Sequence, residues 1–302
     1  MKKSLLTETP AISEAAARAH LESIRWPNGP VCPHCSGTGI YRLKVKNTAR
    51  EVLKCAGCRK QFTVTVGTIF EGSHIPLTKW IQAFQLVCSS KKGISAHQLH
   101  RMLGITYKSA WFMSHRIRHV MTNGTFSGKL GGTVEVDETY IGGKKNQVKW
   151  GSRSHKTPVV ALVERGGRVR SFVLPVVNAE NLKEMIRENV DVSSKLMTDS
   201  FNGYKGLNEE FSSHETVNHY EKEYVRGEVT TNAVEGFFSL LKRGINGTFH
   251  HISREHLHRY LAEFDFRYNA RKATDFERNL SALKATEGKR LQYRSASKAK
   301  GN

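Results

Sequence analysis

The stretch "GTVEVDETYIGG", Gly132 to Gly143, alternates strictly, with Val134 and Val136 on one side of an extended chain and Glu135, Asp137 and Thr139 on the other. That period of two marks a β-strand with one apolar face and one acidic face. Downstream, "TPVVALVER" and "RVRSFVLPVV" read as two more strands around a two-glycine hairpin turn at Gly166 and Gly167. The periodicity changes in "NAENLKEMIRENV", which reads as a helix. "SKLMTDS" is a short apolar strand ending at Asp199, and "HETVNHY" is another strand. A second helix follows in "TTNAVEGFFSLLKRG", Thr230 to Gly244. There Asn232 is expected to cap without reciprocation, leaving Glu235 to project away from its own helix. Periodicity alone supports a mixed α/β domain for this half of the chain.

Upstream, four of the five cysteines fall in two pairs, "CPHC" and "CAGC": Cys32, Cys35, Cys55 and Cys58, with 19 residues between the pairs. Each Cys-x-x-Cys turn aims two thiolates at one point, and two such turns complete a tetrahedral zinc site. A full set of four thiolates leaves no open coordination position, so this zinc is expected to be structural. His34 reads as a bystander and Cys88, alone on a helical stretch, as a small buried residue.

Between the ribbon and the acidic strand, "PLTKWIQAFQLVCSS", "SAHQLHRML" and "YKSAWFMSHRIRHVM" carry apolar residues at helical spacing. The short connection at Gly104 suits a helix-turn-helix whose second helix enters a major groove. Lys108, Ser109, Arg116 and Arg118 are the DNA contacts this reading nominates, with Trp111, Phe112 and Ile117 assigned to the core.

Composition points the same way. The 302 residues carry 47 Lys and Arg against 27 Asp and Glu, a net charge of +20. Such an excess attracts a polyanion, and binding that releases condensed counterions weakens steeply with salt. No apolar run approaches the roughly 18 residues of a membrane-spanning helix, and "MKKSLLTETP" is not a signal peptide, so a cytoplasmic protein without membrane contact is expected.

Hydrolysis and transesterification of phosphodiesters are commonly assisted by two divalent ions held by converging carboxylates. Glu135, Asp137, Glu138, Asp191, Asp199, Glu228 and Glu235 all stand at strand ends or helix starts, and residue physics does not choose among them. A family resemblance does. The order of three strands, helix, strand, a helical or loop segment, strand and helix resembles the ribonuclease-H-like fold. Thirty-five residues separate Asp199 from Glu235, and Lys242 follows Glu235 by two helical turns. With "VEVDETYIGGK", "TDSFNGY", "TNAVEGFFSLLKRGINGTFHHIS" and "YLAEFDFRYNAR", this resembles the bacterial insertion-sequence DDE transposases with an amino-terminal zinc ribbon, the ISXO2-like group.

The resemblance implies that Asp137, Asp199 and Glu235 bind magnesium, two ions by analogy, while Lys242 contacts DNA near the reacting phosphate. Arg243 joins Lys242 as a DNA contact, and Asn232, one turn before Glu235, is an auxiliary candidate that orients a ligand. His250, His251, His256 and His258 read as phosphate contacts or as packing. The implied activity is transposition: binding of terminal inverted repeats, magnesium-dependent 3′-end cleavage and strand transfer, by a dimer or larger assembly on double-stranded DNA. A non-catalytic DNA-binding regulator and a metal-dependent nuclease or resolvase are the competing classes. The expected organisation is a helical segment at residues 1–25, a zinc ribbon at 26–72 and a helix-turn-helix region at 73–125. A ribonuclease-H-like catalytic domain then spans 130–275, and a basic flexible tail spans 276–302.

Overall fold

The computed structural model describes residues 13–44, 51–122, 128–142, 156–221 and 223–292. The readings made of the first twelve residues and of the last ten fall outside those segments. Two compact units divide the chain: residues 1–90, 94–124 and 273–302 form one, and residues 91–93 and 125–272 form the other.

The first unit opens with helix α1 (Glu14–Arg25), capped by the Ser13 side chain. Strands β1 (Ile40–Lys44), β2 (Glu51–Cys55) and β3 (Gln61–Phe62) form an antiparallel sheet, with Leu53 and Phe62 paired and buried. Three helices follow: α2 (Leu77–Ser89), α3 (Ala96–Leu103) and α4 (Tyr107–Met121). Gly104 ends α3 in the left-handed region at φ 60°, and Thr106 starts α4 by accepting from the Ser109 amide. A side chain with a Cβ is disfavoured at that φ, which makes glycine the residue for so tight a turn. Trp80, Phe84, Leu99, Met113 and Ile117 are fully buried and form much of this core.

The second unit is built on a five-stranded sheet. Its strands are β4 (Thr133–Ile141), β5 (Thr157–Glu164), β6 (Val169–Val173), β7 (Lys195–Asp199) and β8 (Ser213–Val217). Their order is β6-β5-β4-β7-β8: β4 is antiparallel to β5 and parallel to β7, and β7 is parallel to β8. Helix α5 (Ala179–Asn189) makes the crossover between β6 and β7. A two-stranded hairpin, β9 (Val225–Arg226) and β10 (Val229–Thr230), leads into α6 (Asn232–Gly244), a π-turn (Ile245–Phe249) and α7 (Arg254–Asn269).

Strand β5 explains why both faces of the sheet are covered. Val159, Ala161 and Val163 join the cluster formed with Val234, Phe237 and Leu241 of α6 and Leu261 and Phe264 of α7. Val160 and Leu162 join Val134, Val136, Leu182, Ile186 and Leu196 on the α5 side. A helix layer on each face turns the continuous apolar run "VVALV" into a doubly buried strand. Each fully buried Val, Leu or Phe contributes about 1.5–3 kcal/mol relative to exposure, so the apolar stripe of α6 fixes that helix against the sheet.

The end of the described chain departs from the flexible basic arm expected beyond residue 276. Residues Asp275–Lys284 form helix α8, with a capping box between Thr274 and Glu277. It packs on α1 and α2, burying Ala282 and Leu283, while Asn279 Nδ2 donates to Gln85 Oε1 at 3.0 Å. Beyond it Gly288 N donates to Gly67 O at 2.9 Å, and Lys289 Nζ donates to the carbonyls of Val120 and Thr122. Of the basic residues in this described stretch, Arg278 and Lys289 donate to main-chain carbonyls and Arg290 pairs with Glu71.

Candidate active site

The acidic strand of the opening stretch, β4, lies beside β7 with Val134 opposite Leu196 and Glu135 opposite Met197. Two residues further along each strand stand Asp137 and Asp199. Side chains repeat every second residue, so both carboxylates leave the sheet at one height on adjacent strands. Backbone amides fix them: Glu138 N donates to Asp137 Oδ1 at 2.7 Å and Phe201 N donates to Asp199 Oδ1 at 3.0 Å.

Helix α6 brings Glu235 to the same place. A cleft of about 770 Å³ is lined by Asp137, Glu138, His219, Glu235, Lys242 and Arg243 among others, all from the second unit. Asp199 is outside that lining, but its charge reaches Asp137. Burial, followed by the charges of Glu138, Asp199 and Glu235, pushes the Asp137 carboxyl up to about 7, against the lowering effect of the Glu138 amide. Glu138 is pushed up by burial as well, and accepts the Tyr204 hydroxyl at 2.7 Å on the opposite side of the strand. The cluster is therefore a concentration of carboxylates that repel one another, with Lys242 and Arg243 exposed on the helix beyond.

Glu135 behaves differently from its neighbours. It is 1% exposed, and its Oε2 accepts from the amides of Ala233 at 2.7 Å and Val234 at 3.1 Å, two donors in the first turn of α6. Its Oε1 accepts from Arg165 Nε at 2.6 Å, and the same guanidinium donates to the carbonyls of Glu228 and Thr230. First-turn amides have no acceptor within their own helix, and a carboxylate there also meets the positive end of the helix dipole. Glu135 is thus occupied as the cap of α6, supplied from another strand. Asp191 accepts from the amide and hydroxyl of Ser193 in a turn, and neither Asp191 nor Glu228 is among the residues that line the cleft.

This arrangement corrects the expected role of Asn232. The helix begins at Asn232, the cap position belongs to Thr231, and the Thr231 side chain makes no capping hydrogen bond; Glu135 accepts from the Ala233 and Val234 amides instead. Asn232 is exposed at the helix start, its amide donating to Thr230 Oγ1 at 3.1 Å. Glu235 is bounded by Thr231, whose hydroxyl donates to Oε1 at 3.2 Å, and by His219, whose Nε2 lies 3.6 Å from the same oxygen.

In the first unit the four cysteine sulfurs all lie within 4.8 Å of one another, the one such group of three or more His, Cys, Asp or Glu ligand atoms among the described residues. Cys32 Sγ is 3.6 Å from Cys58 Sγ, and Cys35 Sγ is 3.6 Å from Cys55 Sγ. Each knuckle turns at the residue after its second cysteine, Ser36 and Arg59, both with φ near 60°. Burial raises the Cys32 thiol, but the amides of His34 and Cys35 and the neighbouring sulfurs outweigh it and bring the thiol down to about 7. The other three sulfurs push Cys35 up to about 11 despite the Gly37 amide. Four thiol groups in mutual contact, one primed to ionise, fit a tetrahedral structural zinc.

Two of the nominated DNA contacts are buried within the first unit, contrary to the exposure that reading expects. Arg116 is 7% exposed, donating to the carbonyls of Ile69, Glu71 and Leu291, with its guanidinium 4.6 Å from the Phe112 ring centre. Arg118 is 3% exposed. Both point inward because α4 is enclosed on most of its circumference. Lys108 is exposed and Ser109 half-exposed, and with Tyr107, Trp111 and Phe112 they line a cleft of about 630 Å³. Trp111 and Phe112, expected in the core, are therefore half-buried walls of that cleft, while Ile117 is fully buried as expected.

Comparison with known proteins matches both halves of this architecture. The ISXO2-like transposase domain family matches residues 129–269, and the transposase zinc-ribbon domain family matches residues 12–61. An uncharacterized protein in transposable element ISH50 of Halobacterium salinarum is 29% identical over 273 residues, covering 85% of this chain and 91% of that protein. An uncharacterized transposase-like protein of Haemophilus influenzae is 31% identical over 102 residues, 34% of this chain and 81% of that protein. Among solved structures, a simian T-cell lymphotropic virus intasome in complex with PP2A regulatory subunit B56 gamma is similar at 17% identity, covering 55% of this chain and 67% of that one, with a TM-score of 0.29. The Mos1 transposase paired-end complex with left transposon end is similar at 13% identity, covering 69% and 80%, with a TM-score of 0.24. Scores this low carry no argument about this chain. Among the described residues no helix is long and apolar enough to cross a membrane.

Proposed function

The chain belongs to the ISXO2-like transposase family, and from that premise we propose that it binds the terminal inverted repeats of its element and catalyses 3′-end cleavage and strand transfer. The observation that carries this reading is the convergence on one cleft of Asp137 and Glu235, with Asp199 at the matching height on the neighbouring strand. The strand order β6-β5-β4-β7-β8, with two antiparallel pairings (β4–β5 and β5–β6), two parallel ones and a helical crossover, supports a ribonuclease-H-like catalytic domain.

Asp137, Asp199 and Glu235 would hold magnesium. Their donors are all carboxylate oxygens, the ligands that a hard cation prefers, and the Asp137 carboxyl, raised first by burial, is raised further by the charges of Glu138, Asp199 and Glu235 that converge on it. Magnesium, when bound, supplies positive charge to the attacking and leaving oxygens of an in-line displacement. Glu135 and Arg165 hold the first turn of α6, and so the height at which Glu235 meets the two aspartates. Lys242, two turns along the same helix, neutralises phosphate charge with Arg243 beside it. In the first displacement a water oxygen replaces the 3′ oxygen on phosphorus at the element end. In the second, the freed 3′-hydroxyl attacks a target phosphodiester in line and displaces the target strand's own 3′ oxygen from phosphorus, without a covalent enzyme intermediate.

The zinc ribbon and the α3–α4 pair, read as a helix-turn-helix, would recognise the terminal repeats, with Lys108 and Ser109 as contacts. The excess of basic residues would hold the duplex through its phosphates. Two ends must be joined, so a dimer or larger assembly on DNA in the cytoplasm follows. The test is strand transfer by the purified full-length protein on end-containing duplexes with magnesium. Asp199→Asn and Glu235→Gln are expected to abolish cleavage and joining while DNA binding persists; full activity in both, with intact folding, would sink the catalytic assignment.

A further inference from the structure

Beside Glu235 the chain displays aromatic side chains that neither core uses. The segment from Asn218 to Arg226 runs from the end of β8 to β9. Asn218 organises it: its Oδ1 accepts from Tyr220 N at 3.1 Å and from Ser200 Oγ at 3.4 Å, and its carbonyl accepts from the amides of Glu221 and Glu223. Glu223 closes the turn by accepting from Asn218 N at 3.2 Å. A backbone fixed this way nevertheless presents Tyr220 at 96% exposure, Tyr224 at 57% and Val225 at 55%.

These rings connect to the cleft. The Tyr224 ring lies 5.3 Å, centre to centre, from the ring of His219, and His219 Nε2 is 3.6 Å from Glu235 Oε1. Tyr224 is therefore one ring removed from a carboxylate at which the reacting phosphate is proposed to sit. Residues 219–228 carry two cations, Lys222 and Arg226, against three carboxylates, Glu221, Glu223 and Glu228. A segment without net positive charge is poorly suited to a phosphate backbone, whereas an aromatic face accepts any base by stacking.

We propose that Tyr224, with Tyr220 beyond it, forms a stacking surface for a DNA base unstacked from the duplex next to the reacting phosphate. This rests on the transposase reading above and adds to it a nucleotide-binding surface outside the carboxylates. An isolated base face replaces solvent over the exposed ring, and the ordered Asn218 turn lowers the entropy cost of holding the ring there. Base–aromatic stacks of this kind are worth about 5- to 150-fold, the equivalent of ~1–3 kcal/mol.

The experiment is a double-mutant cycle between protein and DNA. Single abasic nucleotides are placed in turn at each position flanking the scissile phosphate, and kcat/KM for cleavage is measured with wild type, Tyr224→Ala and Tyr224→Phe. At one flanking position the abasic substitution and Tyr224→Ala are each expected to lower kcat/KM by about 5- to 150-fold, with no further loss in combination. Tyr224→Phe, which keeps the ring face, restores the loss. Additive losses at every flanking position, with wild type cleaving normally, would overturn this proposal and leave the transposase reading standing. Additive losses accompanied by weaker self-association of DNA-free Tyr224→Ala would overturn it in favour of a contact with a second copy. Wild type that cleaves no end duplex would remove the transposase reading and this proposal with it.

Discussion

Glu135→Gln tests the claim that a buried carboxylate on β4 caps α6 and thereby sets Glu235. The side chain is 1% exposed and holds three donors: the Ala233 amide at 2.7 Å, the Val234 amide at 3.1 Å and Arg165 Nε at 2.6 Å. An amide retains one acceptor oxygen and turns an NH2 toward at least one of those donors. Hydrogen bonds to a charged acceptor contribute about 1.5–3 kcal/mol each, and breaking a fully buried ion pair costs about 3–5 kcal/mol. Arg165 is 25% exposed and keeps its two carbonyl acceptors, so the lower part of that span applies. The expected loss is about 2–4 kcal/mol, or ~4–16 °C in the melting temperature of a unit this size. Calorimetry gives the total, with Glu228→Gln as a surface control expected to stay within about 0.5 kcal/mol. Hydrogen exchange gives the location: the Ala233 and Val234 amides have no acceptor in their own helix, so their protection should vanish while that of Phe237 and Leu241 persists. Equal stability of the two variants, or unchanged exchange at Ala233 and Val234, would refute the reasoning.

Other consequences are as open to measurement. With Asp137 raised to about 7 in the metal-free chain, bound magnesium must displace a proton below that pH, so half-saturating magnesium should fall as pH rises to about 7 and then level off. By linkage the metal-free protein loses stability as pH climbs from the unfolded carboxyl value of about 4 through 7, and saturating magnesium should flatten that slope. Arg116→Ala should unfold the first unit more readily, by roughly 2–4 kcal/mol, since it removes bonds to three carbonyls, whereas Lys108→Ala should leave stability unchanged and lower the salt slope of DNA binding by about one. Truncation after Lys272 should lower the melting temperature of the first unit, because it strips α8 from α1 and α2 and removes the Asn279–Gln85 and Arg278–Cys88 carbonyl hydrogen bonds, an effect that loss of a flexible tail would not have. Chelation, or Cys55→Ser, should abolish hydrogen-exchange protection of residues 51–62 while the five-stranded sheet stays protected; equal protection with and without metal would contradict a structural zinc.

What could be read from the chain itself is what short-range geometry encodes. Two Cys-x-x-Cys turns bring four sulfurs together because each turn aims its own pair. Gly104 ends one helix and Thr106 starts the next through contacts three or four residues away. Strand alternation likewise places Val134 and Val136 opposite Glu135 and Asp137. The same alternation makes Glu135 and Asp137 equivalent, two acids on one face of one strand. Only folding separates them, because Glu135 meets amides 98 and 99 residues away while Asp137 is left facing other carboxylates in the cleft. Arg116 is similar: on the sequence it is one more basic residue in a basic helix, and a carbonyl 175 residues distant turns it into a structural anchor. Residue type and spacing fix which groups can form a turn, a helix face or a metal knuckle. Which acid is capped, which arginine is buried and where α8 docks depend on donors and acceptors supplied by remote segments, and those meet only in the tertiary structure.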